Sequence, residues 1–127
     1  MRTYRLSRLS SGLFITRVAL HGPSEVVGVR LVIDTGAVYT VVHPKSLERI
    51  GVNPTGEVSV RTLERTLRLP AFTLERISMF GATRDQYPVL AYAPAAFTPG
   101  IDGVLSIDVL RSLAARLDFS TGILTVP

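Results

Sequence analysis

The chain has 127 residues, 46% of them hydrophobic and 19% charged, which suits one folded domain with an ordinary core and argues against wholesale disorder. It has no cysteine, so a disulfide scaffold, a cysteine nucleophile and a thiolate metal site are excluded. The net charge of +4 sits in one place: residues 1–17 hold four arginines and no acid, while the rest balances ten basic against ten acidic residues. A surplus confined to an arm reads as a solvated strand face, which argues against nucleic acid as a partner. The longest uncharged stretch, Gln86 to Ile101, carries Pro88, Pro94 and Pro99 and is too short to span a bilayer. Arginines interrupt the N-terminal stretch and no signal-peptide core is visible, so the default expectation is a cytoplasmic protein that does not enter a membrane.

In chain order the pattern is mostly strand. Residues 1–11 form a basic arm. Gly12 to Leu20 is rich in β-branched and aromatic residues and ends at the turn signal His21-Gly22-Pro23. Val26 to Ile33 is a second apolar run and Val38 to Val42 a third. His43 to Gly51 predicts one short helix, with Pro44 in the first turn and Gly51 just past the end. His43 is expected to cap it, and His21 to sit in a turn; neither has a partner at metal-site spacing.

Glu57 to Thr62 and Thr66 to Leu69 alternate polar and apolar, predicting a hairpin over residues 57–70 with its tip near Leu63-Glu64-Arg65. Leu74 to Phe80 and Tyr87 to Ala91 are further strands. A longer helix is expected from Ser106, with Asp108 in its first turn and Val109, Leu110, Leu113 and Ala114 on one face. Asp102 is assigned to a turn before Gly103. Leu117 to Phe119, a Ser120-Thr121-Gly122 turn and Ile123 to Val126 close the chain. The class is mainly β, in one domain over residues 1–127.

One tripeptide carries chemistry: Asp34-Thr35-Gly36, directly after Leu31-Val32-Ile33. An acid at the end of an apolar strand is expected to be ringed by hydrophobic residues. Desolvation disfavours the charged form of a carboxyl, which suits acid–base work. Taken alone, the tripeptide also fits a turn after a strand. No Gly-x-Ser-x-Gly elbow or phosphate-cradling glycine loop accompanies it.

A second segment, Gly100-Ile101-Asp102-Gly103-Val104-Leu105-Ser106, leads into the expected helix about 70 residues further on. With Asp34-Thr35-Gly36-Ala37, the strand and short helix through Gly51, and the closing hairpin, the sequence resembles the retropepsin-like aspartic peptidases, particularly the small single-domain bacterial members. The resemblance covers about residues 12–126. It implies a closed, mainly β half-barrel with one C-terminal helix and one short helix, acting as a symmetric homodimer without a cofactor or metal.

A single Asp-Thr-Gly per chain then implies that Asp34 from each subunit forms the catalytic pair. The resemblance makes Thr35 a brace across the interface and puts Gly36, Ala37 and Val104 in the cleft. The hairpin 57–70 becomes a flap, with Thr62, Leu63 and Glu64 touching an extended polypeptide substrate. An apolar preference beside the scissile bond follows by the same analogy.

Two residues depart from the family pattern. Ser106 stands where glycine is usual after the apolar pair, and it either shifts the packing beneath the catalytic loop or serves as a helix N-cap. The flap tip has no glycine. Both departures leave room for a catalytically weak or inactive peptide-binding or assembly homodimer of the same fold. A basic-armed nucleic-acid-binding β domain is a more distant alternative.

Overall fold

A computed structural model describes residues 1–93 and 99–127. The middle of the uncharged stretch singled out above, residues 94–98, therefore lies outside the described residues. The strands are β1 (Arg2–Arg5), β2 (Ser7–Arg8), β3 (Phe14–His21), β4 (Val26–Ile33), β5 (Val41–Val42), β6 (Pro54–Arg61), β7 (Thr66–Met79), β8 (Ala82–Ala91), β9 (Gly103–Leu105), β10 (Arg116–Asp118) and β11 (Ile123–Val126). Two helices, α1 (Pro44–Ile50) and α2 (Ile107–Ser112), interrupt them.

Strands β3, β4, β9, β5, β8 and β7 follow one another in a sheet, and β7 pairs back onto β3 to close a six-stranded barrel. Closure removes the free edges that an open sheet of this size would expose. Strand β6 hangs from the outer side of β7 as a long hairpin, and β2 extends β3. The N-terminal arm is ordered: β1 runs antiparallel to β11, with Arg2 opposite Val126 and Arg5 opposite Ile123, and β10 completes this three-stranded sheet.

The two-residue period of β3 and β4 explains the core. Val18 and Leu20 of β3 and Val27, Val29 and Leu31 of β4 point inward, where they meet Leu74, Ile77, Val89, Leu105 and Leu124. Burying each such side chain contributes about 1.5–3 kcal/mol. The opposite face carries a second, smaller cluster of Ile15, Val32 and Ile101, flanked by Leu9 and Val104. That patch adjoins the end of β4.

Helix α1 has the expected bounds. The His43 ring accepts from the Lys45 N–H through Nδ1 (3.1 Å), Pro44 occupies the first turn, and Gly51 ends the helix in the left-handed region. His21 ends β3 at the hairpin and shares a hydrogen bond with Ser78 Oγ (2.9 Å). Three expectations need correction. The strand Val38 to Val42 shrinks to Val41–Val42, leaving Val38 and Tyr39 exposed in the preceding loop. Helix α2 is no longer than α1, because Ala114 turns into the left-handed region (φ +51) and exposes its side chain instead of joining the apolar face. The Ala114 N–H then donates to Arg111 O and the Ala115 N–H to Leu110 O, the double closure of a Schellman turn built without glycine. Asp102 is more than a turn residue: its Oδ2 accepts from the Arg30 N–H (2.9 Å) and prolongs the β4–β9 pairing. Among the described residues, no helix is long and apolar enough to cross a membrane.

Candidate active site

Asp34 is the first residue beyond β4, and the parallel neighbour β9 fixes it there. Ile33 stands opposite Leu105 in the ladder, and the Asp34 N–H donates to Leu105 O (3.1 Å). The loop folds back on itself: the Ala37 N–H donates to Asp34 O (3.1 Å), and the Gly36 N–H donates to Asp34 Oδ1 (3.0 Å). A second tie comes from the start of α2, where the Ile107 N–H donates to Ala37 O (3.3 Å). One carboxylate oxygen is thus oriented by the loop backbone, and the other makes no hydrogen bond within the described residues.

The carboxylate is not ringed by hydrophobic residues. Asp34, Thr35 and Gly36 are all exposed, which corrects the burial expected from the apolar strand. The strand ends where the barrel rim meets solvent, so the apolar residues lie behind the acid and to one side. A cavity of about 420 Å³ opens there, with Asp34 and Thr35 on its wall and Val32, Ile33, Ile101 and Val104 beside them. Phe14 and Phe119 contribute aromatic surface on the far side.

Asp34, Thr35 and Val104 of the expected site therefore share one cavity. Gly36 and Ala37 shape the loop through their backbones and are not among its lining residues. Thr62, Leu63 and Glu64 sit together at the tip of the β6–β7 hairpin, away from that cavity. There Thr62 closes the turn: its N–H donates to Arg65 O (2.8 Å), and its Oγ1 accepts from the Glu64 and Arg65 N–H groups (3.3 and 3.1 Å). Leu63 is fully exposed at the apex. Among the described residues, no cluster of three or more His, Asp or Glu side chains offers a metal site.

Ser106 occupies the N-cap position of α2, yet its hydroxyl makes no capping bond. It turns inward instead. Ser106 and Thr40 are each only 1% exposed and lie 3.0 Å apart through their hydroxyls. Tyr87 OH meets Thr40 Oγ1 at 2.9 Å and donates to Asp108 at 3.0 Å (Oδ1) and 3.2 Å (Oδ2). Ser106 Oγ also donates to Asp108 Oδ1. Asp108 thus anchors a buried hydroxyl cluster beneath the Asp34 loop, beyond the helix-terminus role expected for it. Thr40 and Tyr87 were not visible as site residues, since they are 47 residues apart and nothing local marks either one.

A closed barrel with an Asp-Thr-Gly loop held at the rim between β4 and β9 is the retropepsin-like fold. Among solved structures, the chain matches a retropepsin-like aspartic protease from Rickettsia conorii (TM-score 0.69, 16% identity, 98% of this chain and 90% of that one). It also matches the EIAV protease complexed with the inhibitor HBY-793 (TM-score 0.61, 17% identity, 82% and 90%). No curated protein matches by sequence. Residues 17–109 match the aspartyl protease family model, and the chain belongs to that family. Family and fold together support a peptidase.

Proposed function

We propose that this chain is an aspartic endopeptidase that acts as a symmetric homodimer, with Asp34 of each subunit forming the catalytic pair. The observation that carries this reading is the Asp34 carboxylate, held by its loop beside an apolar cavity and exposed on a face that a second copy can cover. One such acid per chain is half of what the reaction needs, and a two-fold axis supplies the other half.

Two carboxyl groups about 3 Å apart do not both ionise readily, so the pair shares one proton and titrates as a unit. The ionised member takes a proton from a water held between them, and the resulting hydroxide attacks the scissile carbonyl carbon. The protonated member donates to the carbonyl oxygen. The carboxyl that took the water proton then gives it to the amide nitrogen, and the C–N bond breaks. The other carboxylate takes a hydroxyl proton from the tetrahedral intermediate, which releases acid and amine and leaves the pair again with one proton. No cofactor enters this cycle.

Thr35 braces the pair across the interface, Val104 lines the cavity beside Asp34, and Gly36 and Ala37 border the cleft that the two copies form together. The hairpin 57–70 closes over an extended polypeptide through Thr62, Leu63 and Glu64, adding strand-like pairing and excluding water.

The test is cleavage of a diverse unfolded-polypeptide library by wild type and by Asp34→Asn, at mildly acidic and neutral pH, read by mass spectrometry. Cuts made by wild type alone are expected. Cuts made equally by pure Asp34→Asn overturn the assignment. Silence from both, with a dimer present, favours the inactive peptide-binding homodimer, for which the bulky, charged Leu63-Glu64-Arg65 tip is the motivating feature.

A further inference from the structure

We propose that Thr40, Ser106, Tyr87 and Asp108 form a positioning network for the Asp34 loop, with the Tyr87 hydroxyl as its central link. The inference rests on the reading of Asp34 as catalytic and adds to it four residues that never touch substrate.

Proton accounting fixes the direction of the bonds to Asp108. The Tyr87 and Ser106 hydroxyls each donate their single proton to Asp108. Neither can then donate to Thr40. The Thr40 hydroxyl proton is left to point at Tyr87 OH (2.9 Å) or at Ser106 Oγ (3.0 Å). Its oxygen in turn accepts from the Ser106 N–H (3.1 Å). The Tyr87 and Ser106 hydroxyls are thus directed at Asp108, and Thr40 donates to one or other of their oxygens. No buried side-chain polar atom among the described residues is left without a partner. Burial raises the Tyr87 pKa above its ordinary value of 10.0, so the hydroxyl remains a donor across neutral pH.

The network matters because of where it grips the backbone. Leu105, Ser106 and Ile107 are consecutive, and each contacts the catalytic loop or its exit. Leu105 O accepts from the Asp34 N–H, the Ile107 N–H donates to Ala37 O, and the Ser106 N–H donates to Thr40 Oγ1. The first two ties are backbone bonds that any residue could make. The third depends on a side chain, and that side chain is held only by the hydroxyl cluster. Through it the loop exit is tied to β8 at Tyr87 and to α2 at Asp108. Satisfied buried networks of this kind rigidify the elements they join. Here they join the exit of the Asp34 loop at Thr40, which β8 also holds through the Leu90 N–H to Thr40 O (3.0 Å), to the start of α2 at Ser106 and Asp108.

Serine at position 106 is on this account a working part of the site, and replacing it with a smaller residue should impair the enzyme. Steady-state kinetics and amide hydrogen exchange on Tyr87→Phe, Thr40→Val, Thr40→Ser and Ser106→Gly test this, at a temperature where every variant is folded. Tyr87→Phe, Thr40→Val and Ser106→Gly are expected to lower kcat by about 10- to 100-fold, the scale on which small misplacements act, with KM little changed. Exchange at the Asp34, Ser106 and Ile107 amides should accelerate in the same variants. Thr40→Ser, which keeps the hydroxyl, should retain both properties.

Variants that lose only heat stability, with wild-type kcat and wild-type exchange at those amides, overturn the proposal. The exchange measurement needs no substrate. A wild type that cleaves nothing thus defeats the peptidase reading by itself, while exchange still decides the network.

Discussion

Gly103 packs so closely under Val41 that a Cβ at this position would overlap the Val41 carbonyl oxygen. The contact occurs where β9 passes between parallel β4 and antiparallel β5, the crossing from which the Asp34 loop is suspended. The neighbouring atoms are Val41 and Val42 backbone, so they cannot swing away as a side-chain tip would.

Gly103→Ala is therefore expected to destabilise the fold by about 3 kcal/mol, at the upper end of what overpacking a core costs. Urea unfolding of the variant checks this. A midpoint equal to wild type would mean that the β5–β9 crossing can open to admit a methyl group.

In the single chain Asp34 faces solvent, and under the proposed shared-site mechanism a second copy supplies the desolvation that suits acid–base chemistry. Specific activity should therefore fall on dilution in step with the dimer fraction measured by sedimentation velocity. An excess of Asp34→Asn should suppress wild-type activity by drawing it into mixed dimers with one functional carboxylate. Specific activity that stays constant through the dimer-to-monomer transition would sink the shared-site mechanism.

How much could be read from the sequence depended on whether the signal was local. Strands Val26–Ile33 and Ile123–Val126 have the bounds read from their β-branched runs, and α1 is delimited by Pro44 and Gly51. The β6–β7 hairpin was legible because alternation persists to both sides of Thr62. Strand β9 has only three residues, too few for any period, and arginines at positions 2, 5 and 8 hid the pairing of β1 and β2. The end of α2 was missed because Ala114 adopts the left-handed turn that glycine usually announces. Of the candidate site residues, Asp34, Thr35 and Val104 line one cavity. Thr40 and Tyr87 were out of reach because their partnership exists only once β8 folds against the loop exit. Ser106 was legible as an N-cap position, yet its hydroxyl serves the long-range cluster in preference to the helix.

The hairpin tip separates stability from function. Leu63 is fully exposed, so Leu63→Ser should shift stability by no more than about 0.5 kcal/mol. If Leu63 buries itself on substrate when the hairpin closes, the same change should lower kcat/KM by about tenfold, in keeping with the value of a buried leucine. Thr62→Val should act differently, because it removes the hydroxyl that accepts from Glu64 and Arg65. Faster amide exchange at Arg65 is the expected sign. Cleavage by Leu63→Ser at the wild-type rate would show that the tip does not meet substrate.

Acid sensitivity should trace in part to the β10–β11 turn. Asp118 Oδ1 accepts from the Ser120 hydroxyl (2.7 Å), the Ser120 N–H (2.9 Å) and the Thr121 N–H (3.3 Å) in the β10–β11 turn. These bonds, the Ser120 hydroxyl foremost, hold the Asp118 pKa below its ordinary value of 3.8. A carboxyl depressed in the folded state stabilises the fold at pH values above its unfolded pKa. That stabilisation fades as pH falls through 3.8 toward the lower folded value. The turn also receives the arm, since the Leu6 N–H donates to Gly122 O (2.9 Å). Urea midpoints of wild type and Asp118→Ala, measured from pH 7 to pH 2, should differ by a constant amount down to about pH 5 and converge below pH 4. Asp85, whose pKa is lowered by Arg76, is present in both proteins and cancels from the difference. A gap that persists unchanged at pH 2 would mean that Asp118 stabilises the turn as a neutral group.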